Sequence, residues 1–284
     1  MHKRHGEILS YKDAIHKLKE VMALKKNIIF RGQKDSDWRL QSTFLRLSTE
    51  KNWDSQQREI YLNKLLMGFK NEAIRQNLIT DNGFTENGQL DELKLLIYAQ
   101  HYGLPTNLLD WTWSPYVALF FAFNGNSKER IANKRAAVWC FDWNEFRKGA
   151  IRLGKRALGK DKIKDEIALK HFNTERTLAI TLEIDQVPGN VRFLRQRGVF
   201  TRGIYEIYDK TTESLNDYIK RHEDVFHENT LVKITVDTND QSEAIEDLRM
   251  MGLDAAYLMA NLDYVSIAVL NNTTKFLEPE FNLS

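Results

Sequence analysis

The segment QHYGLPTNLLDWTWSP, residues 100–115, has the most informative pattern in the chain. It combines two tryptophans, a tyrosine, a histidine and one acid, and it follows neither a helical nor a strand period throughout. The pattern predicts a helix that ends at Gly103, a turn through Pro105 and a short strand over Leu108–Thr112. Ser114 can then cap the free N–H groups of a following helix. Three changes of secondary structure thus account for the mixed composition.

The pattern on either side of this segment predicts an α+β fold. Before it we expect a helix from Ser10, the strand NIIF at 27–30, and helices over 55–78 and 90–103. After it we expect a helix over 114–125, strands near 136–141, 177–184, 191–193, 199–201 and 231–236, and a helix over 242–251. Helices that precede most of the strands favour the α+β class over alternating βαβ units. Since no linker or repeat divides residues 1–284, we expect a single domain.

Composition indicates a protein of the reducing cytoplasm. The 41 basic and 39 acidic residues nearly cancel, so the net charge alone does not indicate a nucleic-acid or membrane partner. The single cysteine, Cys140, lies in the apolar stretch AAVWCFDW and is expected to be an unreactive thiol in a buried strand. No apolar run reaches the length that spans a membrane. We therefore expect a cytoplasmic location.

One segment is strongly basic. From Arg147 to Lys170, nine lysines and arginines stand against three acids. This segment is either the solvated face of a helix or loop, or a patch that faces the phosphates of RNA or DNA. It contains little aromatic character, which weakens any prediction of base stacking there.

The common catalytic and nucleotide-binding motifs are absent from the sequence. It contains no GxxxxGK[ST] or GxGxxG loop, no CxxC or HExxH metal spacing, and no GxSxG elbow. We therefore expect no metal site, and we expect any active site to be built from dispersed polar residues around a cleft.

Two further stretches are candidates for such a site. In IIFRGQ, Arg31 follows an apolar strand, where a cation needs either an acid or an anionic ligand. Its planar guanidinium suits a pyrophosphate, and Gly32 lets a ligand approach the backbone. In RFLRQRGVFTRG, Gln196, Gly198 and Phe200 would share one face if residues 196–200 form a strand. A structural salt bridge is the alternative role for Arg31.

These stretches, in this order, resemble the FRG-domain proteins. That family has a motif of the type Phe30-Arg31-Gly32, followed by a block that corresponds to residues 100–122 of this chain. A third block corresponds to residues 192–201, and a loose C-terminal element to about 248–265. The resemblance covers about 28–265, with the basic segment as an insertion at about 147–170.

The order of these motifs is similar to that of the ADP-ribosyltransferases, which implies a split sheet of mixed or antiparallel strands and NAD as a substrate. By this resemblance, Asp110-Trp111-Thr112 replaces the Ser-Thr-Ser strand, and Gln196-Arg197-Gly198 stands where a glutamate motif lies. The implied catalytic residues are Arg31, Asp110, Thr112 and Gln196. The implied NAD-binding residues are Arg31, Gly32, Gln33, Gln100, His101, Thr106, Trp111, Gly198 and Phe200.

The missing glutamate leaves several roles open. Asp110 is the first candidate for the carboxylate that stabilises a developing ribosyl cation, ahead of Asp263 and Glu206, although Asp110 could instead cap the following helix. Trp111 and Phe200 either stack on the ligand or belong to the core. His101 either hydrogen-bonds at a helix end or acts as a general base.

The resemblance implies an NAD-dependent ADP-ribosyltransferase that acts as a bacterial toxin or phage-defence effector, with an antitoxin protein as a partner. The acceptor is RNA, which is slightly favoured because of the basic segment, or DNA or a protein. The alternatives are an NAD glycohydrolase and a non-catalytic module that binds a nucleotide-like ligand or a partner.

Overall fold

A seven-stranded mixed sheet forms the centre of the computed structural model. The structure describes residues 7–25, 27–80, 84–86, 89–124, 135–175, 179–183, 191–210 and 212–259. The described strands are β1 (Ile8–Leu9), β2 (Ile28–Gln33), β3 (Thr85–Glu86), β4 (Gln89–Leu90), β5 (Leu108–Thr112), β6 (Arg135–Asp142), β7 (Ile180–Glu183), β8 (Gly198–Gly203) and β9 (Leu231–Asp237). Strands β3 and β4 form a separate two-stranded sheet.

Helices make up much of the N-terminal half and cover both faces of the main sheet. The described helices are α1 (Tyr11–Leu24), α2 (Thr43–Glu50), α3 (Ser55–Arg75), α4 (Glu92–His101), α5 (Pro115–Phe123), α6 (Trp143–Ala157), α7 (Asp165–Thr174), α8 (Val191–Arg195), α9 (Tyr205–Tyr208), α10 (Leu215–Arg221), α11 (Gln241–Met250) and α12 (Ala255–Met259). The predicted α+β fold with a mixed sheet is therefore confirmed. None of the described helices is long and apolar enough to cross a membrane.

The main sheet is divided between β2 and β5. Its strand order is β1-β9-β6-β2-β5-β8-β7, and all described neighbours are antiparallel except β1 and β9. Strand β2 pairs with β6 along all of Ile28–Gln33, but it pairs with β5 only where Phe30 faces Thr112. On its other edge, β5 pairs with β8 along all of Leu108–Thr112. The sheet therefore splits from Arg31 onward.

Three groups of buried apolar side chains hold the layers together. One lies between α1, α5 and α11 and strands β2, β6 and β9. A second lies between α6, α7 and α10 and the opposite face of the sheet. The third joins α2, α3, α4 and α8 to β5 and β8. Strand β5 thus contributes to the second and third cores, and β2 contributes to the first and second.

Gly32 allows α5 to lie directly on β2. A Cβ atom on Gly32 would be 1.9 Å from the carbonyl oxygen of Ala118 and 2.7 Å from the amide nitrogen of Ala122. The close approach that the sequence predicted at Gly32 is therefore made by helix backbone, rather than by a ligand. Ser114 accepts a hydrogen bond from the Val117 amide at 3.4 Å and caps α5 as predicted.

Several predicted boundaries change in the structure. The strand predicted near 191–193 is wrong, because Val191–Arg195 forms the short helix α8 and the strand begins at Gly198. Helix α3 ends at Arg75 instead of residue 78, and α4 spans Glu92–His101 instead of 90–103. The predicted stop at Gly125, the start of the 177–184 strand and the end of the C-terminal element lie outside the described residues.

A buried polar cluster fastens α2 and α3 to α9. The guanidinium of Arg58 donates to the carbonyl oxygens of Glu206, at 2.7 Å, and of Asp209. The Glu206 carboxyl group is hydrogen-bonded to Ser42, which also caps α2. Burial raises the pKa of Glu206 to about 8, although the hydrogen bond from Ser42 opposes this. Glu206 is therefore mainly neutral at pH 7.

Cys140 lies inside β6 and is buried. Burial raises the pKa of its thiol to about 12, so little thiolate forms at neutral pH. The prediction of an unreactive core thiol is confirmed.

Gly32→Ala should lower the free energy of unfolding by about 3 kcal/mol, because the added methyl group overlaps backbone that cannot rotate away. Gly68→Ala in α3 is the matched control: its Cβ meets nothing within 4 Å, and alanine favours the helix by about 1 kcal/mol. Urea unfolding of both variants measures the difference. Equal stability of the two variants would contradict the close packing of α5 on β2.

The stability of the protein should decrease between pH 4.5 and about pH 8. Because folding raises the pKa of Glu206 from 4.5 to about 8, unfolding releases a proton across this window, and the free energy of unfolding falls as the pH rises through it. We expect Tm to fall by about 5 °C or more in the wild type. Glu206→Gln, which is neutral at every pH, should show a clearly smaller decrease in calorimetry. An equal decrease in both proteins would contradict the neutral state of Glu206.

Candidate functional site

A cavity of about 580 Å³ opens where β2 and β5 separate. Its wall combines the end of β2, the loop that follows it, the outer part of β5, and residues of α2, α5 and α8. The lining residues are Phe30, Arg31, Gly32, Gln33, Lys34, Asp37, Trp38, Arg39, Gln41, Arg46, Asp110, Trp111, Thr112, Phe121, Arg192 and Gln196. The structure therefore brings the three predicted motifs, represented by Arg31, Asp110 and Gln196, to one cavity.

Arg31 crosses the split in the sheet. Its Nη1 donates to the main-chain oxygen of Asp110 at 2.6 Å and lies 3.8 Å from the Oδ2 atom of the same residue. Its buried Nε atom has no hydrogen-bond partner among the described residues. Burial lowers the pKa of the guanidinium, and Asp110 only partly opposes this effect. The single long contact with a carboxylate leaves much of the charge of Arg31 uncompensated.

The cavity carries an excess of positive charge. Five basic side chains line it, against two acidic ones. Besides Arg31, the cavity contains Arg46 from α2 and Arg192 from α8, and neither makes an ion pair with any residue that the structure describes. Arg39 lies 3.9 Å from Asp217 and is mostly exposed. Clustered guanidinium groups around a concave wall favour an anionic ligand with several oxygens, such as a phosphate ester.

Asp110 is the acid that lies closest to Arg31. It is the exposed residue in the centre of β5, where the side chains on either side of it are buried. Gln100 donates to its Oδ2 from Nε2 at 3.0 Å. Because Ser114 caps the following helix, the alternative role of Asp110 as that cap is wrong. Its carboxylate is held by Gln100 and presented to the cavity.

Gln196 lies in a turn, so the prediction that it shares a strand face with Gly198 and Phe200 is wrong. Strand β8 starts only at Gly198, and Arg197 adopts a left-handed conformation with φ of 48°. This turn directs the Gln196 carbonyl oxygen to the Thr112 hydroxyl, which donates to it at 2.6 Å. The Gln196 side chain donates from Nε2 to the carbonyl oxygen of Leu258 at 3.0 Å. Gln196 therefore connects β5, α8 and α12 behind the cavity.

A smaller chamber of about 100 Å³ adjoins the main cavity. Four residues line both spaces, namely Asp110, Trp111, Arg192 and Gln196. The smaller chamber adds Ile97, Gln100, His101, Phe193, Gly198, Val199 and Phe200. Burial lowers the pKa of His101, and the charge of Arg192 adds to this, so the imidazole is neutral at pH 7. Asp110 thus stands between a cationic cavity and a mainly uncharged chamber.

Several predicted ligand-binding side chains serve the fold instead. The amide of Gln33 is occupied by the Arg39 carbonyl and the Trp139 indole N–H. Trp111 is buried against Phe141 and donates its indole N–H to Thr201 at 2.9 Å. Their polar atoms already have partners inside the protein, because each lies within the sheet or its core.

The same holds for a second group of predicted residues. Thr106 is buried, donates to Gln100 and lines neither space. Phe200 stacks on Phe193 with ring centres 5.2 Å apart, and Gly198 provides the space for the Phe193 ring. Phe200 and Gly198 therefore shape the wall of the smaller chamber without offering a polar side chain, and Thr106 lies behind it.

The other candidate acids lie elsewhere. Glu206 is buried with Ser42 and lines neither space, which excludes it from a role in this cavity. Asp263 lies outside the described residues. Among the described residues, no group of three or more His, Cys, Asp or Glu side chains could hold a metal ion.

The basic segment forms parts of α6 and α7 and does not line the cavity. Three of its nine basic side chains are in ion pairs, namely Lys148 with Glu145, Lys155 with Asp165 and Arg156 with Asp224. Arg152 donates to the carbonyl oxygen of Val225. Much of the segment therefore interacts with the protein itself.

Sequence reasoning did not identify Trp38 and Arg46 as site residues, and it noted Arg192 only as part of a motif. Trp38 stands alone in the polar stretch KDSDWR after β2, which is the one local signal for it. Nothing in the sequence marks Arg46 as a site residue, since its pattern is that of any exposed basic residue on a helix.

Comparison with known protein families agrees with the motif pattern. The FRG domain model matches residues 26–130, a range that includes Arg31 and Asp110 but not Arg192 or Gln196. No curated protein and no solved structure matches the chain. The predicted resemblance to the FRG-domain proteins is therefore confirmed over residues 26–130.

Proposed function

We propose that this protein is an NAD-dependent ADP-ribosyltransferase whose active site is the cavity between β2 and β5. The observation that carries the proposal is the convergence of Arg31, Asp110 and Gln196 on one cationic cavity. Its volume of about 580 Å³ falls within the range of sites for small organic ligands, which is about 300–1,000 Å³. The excess of arginine suits the pyrophosphate of NAD.

In this proposal Arg31 binds the pyrophosphate of NAD. The guanidinium is fixed by the Asp110 carbonyl oxygen, and Arg31 lines the cavity with one long carboxylate contact as its counter-charge. A bound pyrophosphate supplies the missing negative charge, which offsets the cost of burying the cation. Arg46 and Arg192 add further donors from two different helices.

Asp110 acts on the ribose that is attached to nicotinamide. When the bond between C1′ and the nicotinamide nitrogen breaks, the electron pair leaves with nicotinamide and positive charge develops on the ribose. A carboxylate at the boundary of the two spaces stabilises that charge. The acceptor oxygen or nitrogen then bonds to C1′ and gives up a proton, which neutral His101 in the smaller chamber can accept.

The acceptor follows from weaker observations. Arg147 and the four lysines of the basic segment that have no ion pair above can contact the phosphates of RNA or DNA, although they lie away from the cavity. A role as a bacterial toxin or phage-defence effector, and an antitoxin partner, follow from the resemblance alone. Each remains part of the proposal.

A second function is favoured by the position of Gln196. Its side-chain amide donates a hydrogen bond to the carbonyl oxygen of Leu258. The glutamate that the ADP-ribosyltransferases have at this position is therefore replaced by a side chain that has no negative charge. The cavity could therefore hold a nucleotide without cleaving it. In that case Arg31 still binds the phosphates of the nucleotide, and Asp110 has no catalytic role.

Incubation of the purified protein with labelled NAD and cell extract distinguishes these functions. A transferase releases nicotinamide and incorporates label into protein, RNA or DNA. Nicotinamide release without incorporation indicates an NAD glycohydrolase. Binding of NAD with neither signal indicates the non-catalytic module and rejects the enzymatic proposal.

Asp110→Asn should lower kcat for nicotinamide release by about 100- to 1,000-fold, because the amide retains the contact geometry but lacks the negative charge. KM should change little. Glu72→Gln is the matched control, since Glu72 is an acid of similar exposure that is paired with Arg75 on α3, far from the lining residues. Full activity of Asp110→Asn would transfer the role to another acid.

Arg31→Lys should weaken NAD binding by about 10- to 100-fold, because a single ammonium cannot replace the two-oxygen contact of the guanidinium. Calorimetric titration measures the affinity, and thermal unfolding shows whether the fold is retained. Unfolding of the variant at much lower temperature, with no specific loss of affinity, would support a structural role for Arg31.

A further inference from the structure

We propose that Trp38 is the platform on which the purine base of the ligand stacks, so that the cavity is specific for a nucleoside diphosphate unit. The inference rests on the proposed function, because it places the adenine end of NAD at the loop after β2 and the reactive ribose at Asp110. It adds a ligand contact and an orientation of the ligand that the three motifs do not provide.

Trp38 is the only exposed tryptophan in the chain. All six tryptophans lie in the described residues, and the other five are buried or half-buried. The side chain of Trp38 lines the cavity, and the residue is 45% exposed. An indole ring that is exposed to water makes few of the apolar contacts that a buried tryptophan makes. A flat aromatic ligand would provide these contacts.

The loop that carries Trp38 is held by hydrogen bonds within the loop and to strands β6 and β9. The Ser36 amide donates to the carbonyl oxygen of Arg135 at 3.0 Å. The Lys233 ammonium group donates to the carbonyl oxygen of Ser36. The Asp37 amide donates to Oδ1 of Asp35 at 2.8 Å, and the Trp38 amide to the Asp35 carbonyl oxygen at 3.3 Å. The indole is therefore presented by a fixed backbone, which reduces the entropy lost when a ligand stacks on it.

The positive charge lies beside this aromatic surface. Trp38 shares the cavity with Arg31, Arg46 and Arg192. A ligand that satisfies both surfaces has an aromatic ring joined to a strongly anionic group. Nucleotides meet this description. Their bases stack on tryptophan, and their phosphates accept hydrogen bonds from arginine.

The two adjoining spaces set the direction of the ligand. Asp110 lines both the main cavity and the smaller chamber, whereas Trp38 lines the main cavity alone. A base that stacks on Trp38 therefore lies in the main cavity, and the ribose that reacts at Asp110 lies where the cavity meets the smaller chamber.

Titration calorimetry with ADP and with inorganic pyrophosphate tests this assignment in the full-length protein. Trp38→Ala should weaken ADP binding by about 5- to 100-fold, the loss expected for one base–aromatic stack. Trp38→Phe, the matched control that retains a smaller ring, should lose less affinity. Pyrophosphate binding should stay within about twofold in both variants, whereas Arg46→Ala should weaken both ligands.

Two results would overturn the assignment. The first is failure of the folded wild type to bind ADP, and the second is equal ADP affinity of the wild type and Trp38→Ala. If the second result comes with weakened binding of single-stranded RNA by Trp38→Ala, Trp38 is a contact for the acceptor. Thermal unfolding verifies that each variant is folded.

Nicotinamide release, measured on the same samples, separates this inference from the proposed function. ADP binding that depends on Trp38, without nicotinamide release, supports the base platform and rejects the transferase. Nicotinamide release without any effect of Trp38 on ADP affinity supports the transferase and rejects the platform.

Discussion

The contact between the backbone of α5 and Gly32 is the constraint on which the rest of the site depends. It holds β2 against the helix, while β2 pairs along its whole length with β6 and β5 along its whole length with β8. The two strands therefore meet at one residue pair and then separate. This separation produces a cavity within the sheet. The side chains of β2 and β5 that border the split face this cavity.

The electrostatic character of the cavity follows from the same division. The side chain of Arg31 crosses the split and is stabilised mainly by a main-chain carbonyl oxygen, which accepts a hydrogen bond but carries no full negative charge. The approach of Arg46 and Arg192 from separate helices increases the unfavourable energy of the unliganded cavity. A polyanionic ligand would remove this cost, and the proposal of a phosphate ester as the ligand rests on this charge distribution.

The sequence predicted the local structure well wherever a short-range signal exists. The cap at Ser114, strand β5 and the strand that contains Cys140 were predicted from residue types and spacing. The error at 191–196 arose because an apolar and basic stretch of this length fits either a short helix or a strand. The positive φ of Arg197, which follows α8, could not be predicted from the sequence, because arginine rarely adopts this conformation.

The sequence by itself determined the FRG domain, the α+β class, and the candidate roles of Arg31 and Asp110. Only the tertiary structure decided that these residues meet, since Arg31 and Asp110 are 79 positions apart and Thr112 and Gln196 are 84. It also excluded Glu206 by burying it, and it added Trp38 and Arg46 to the cavity. The physical reason is that strand register and helix packing, which are long-range interactions, set these positions, whereas sequence patterns report only the local periodicity of each segment.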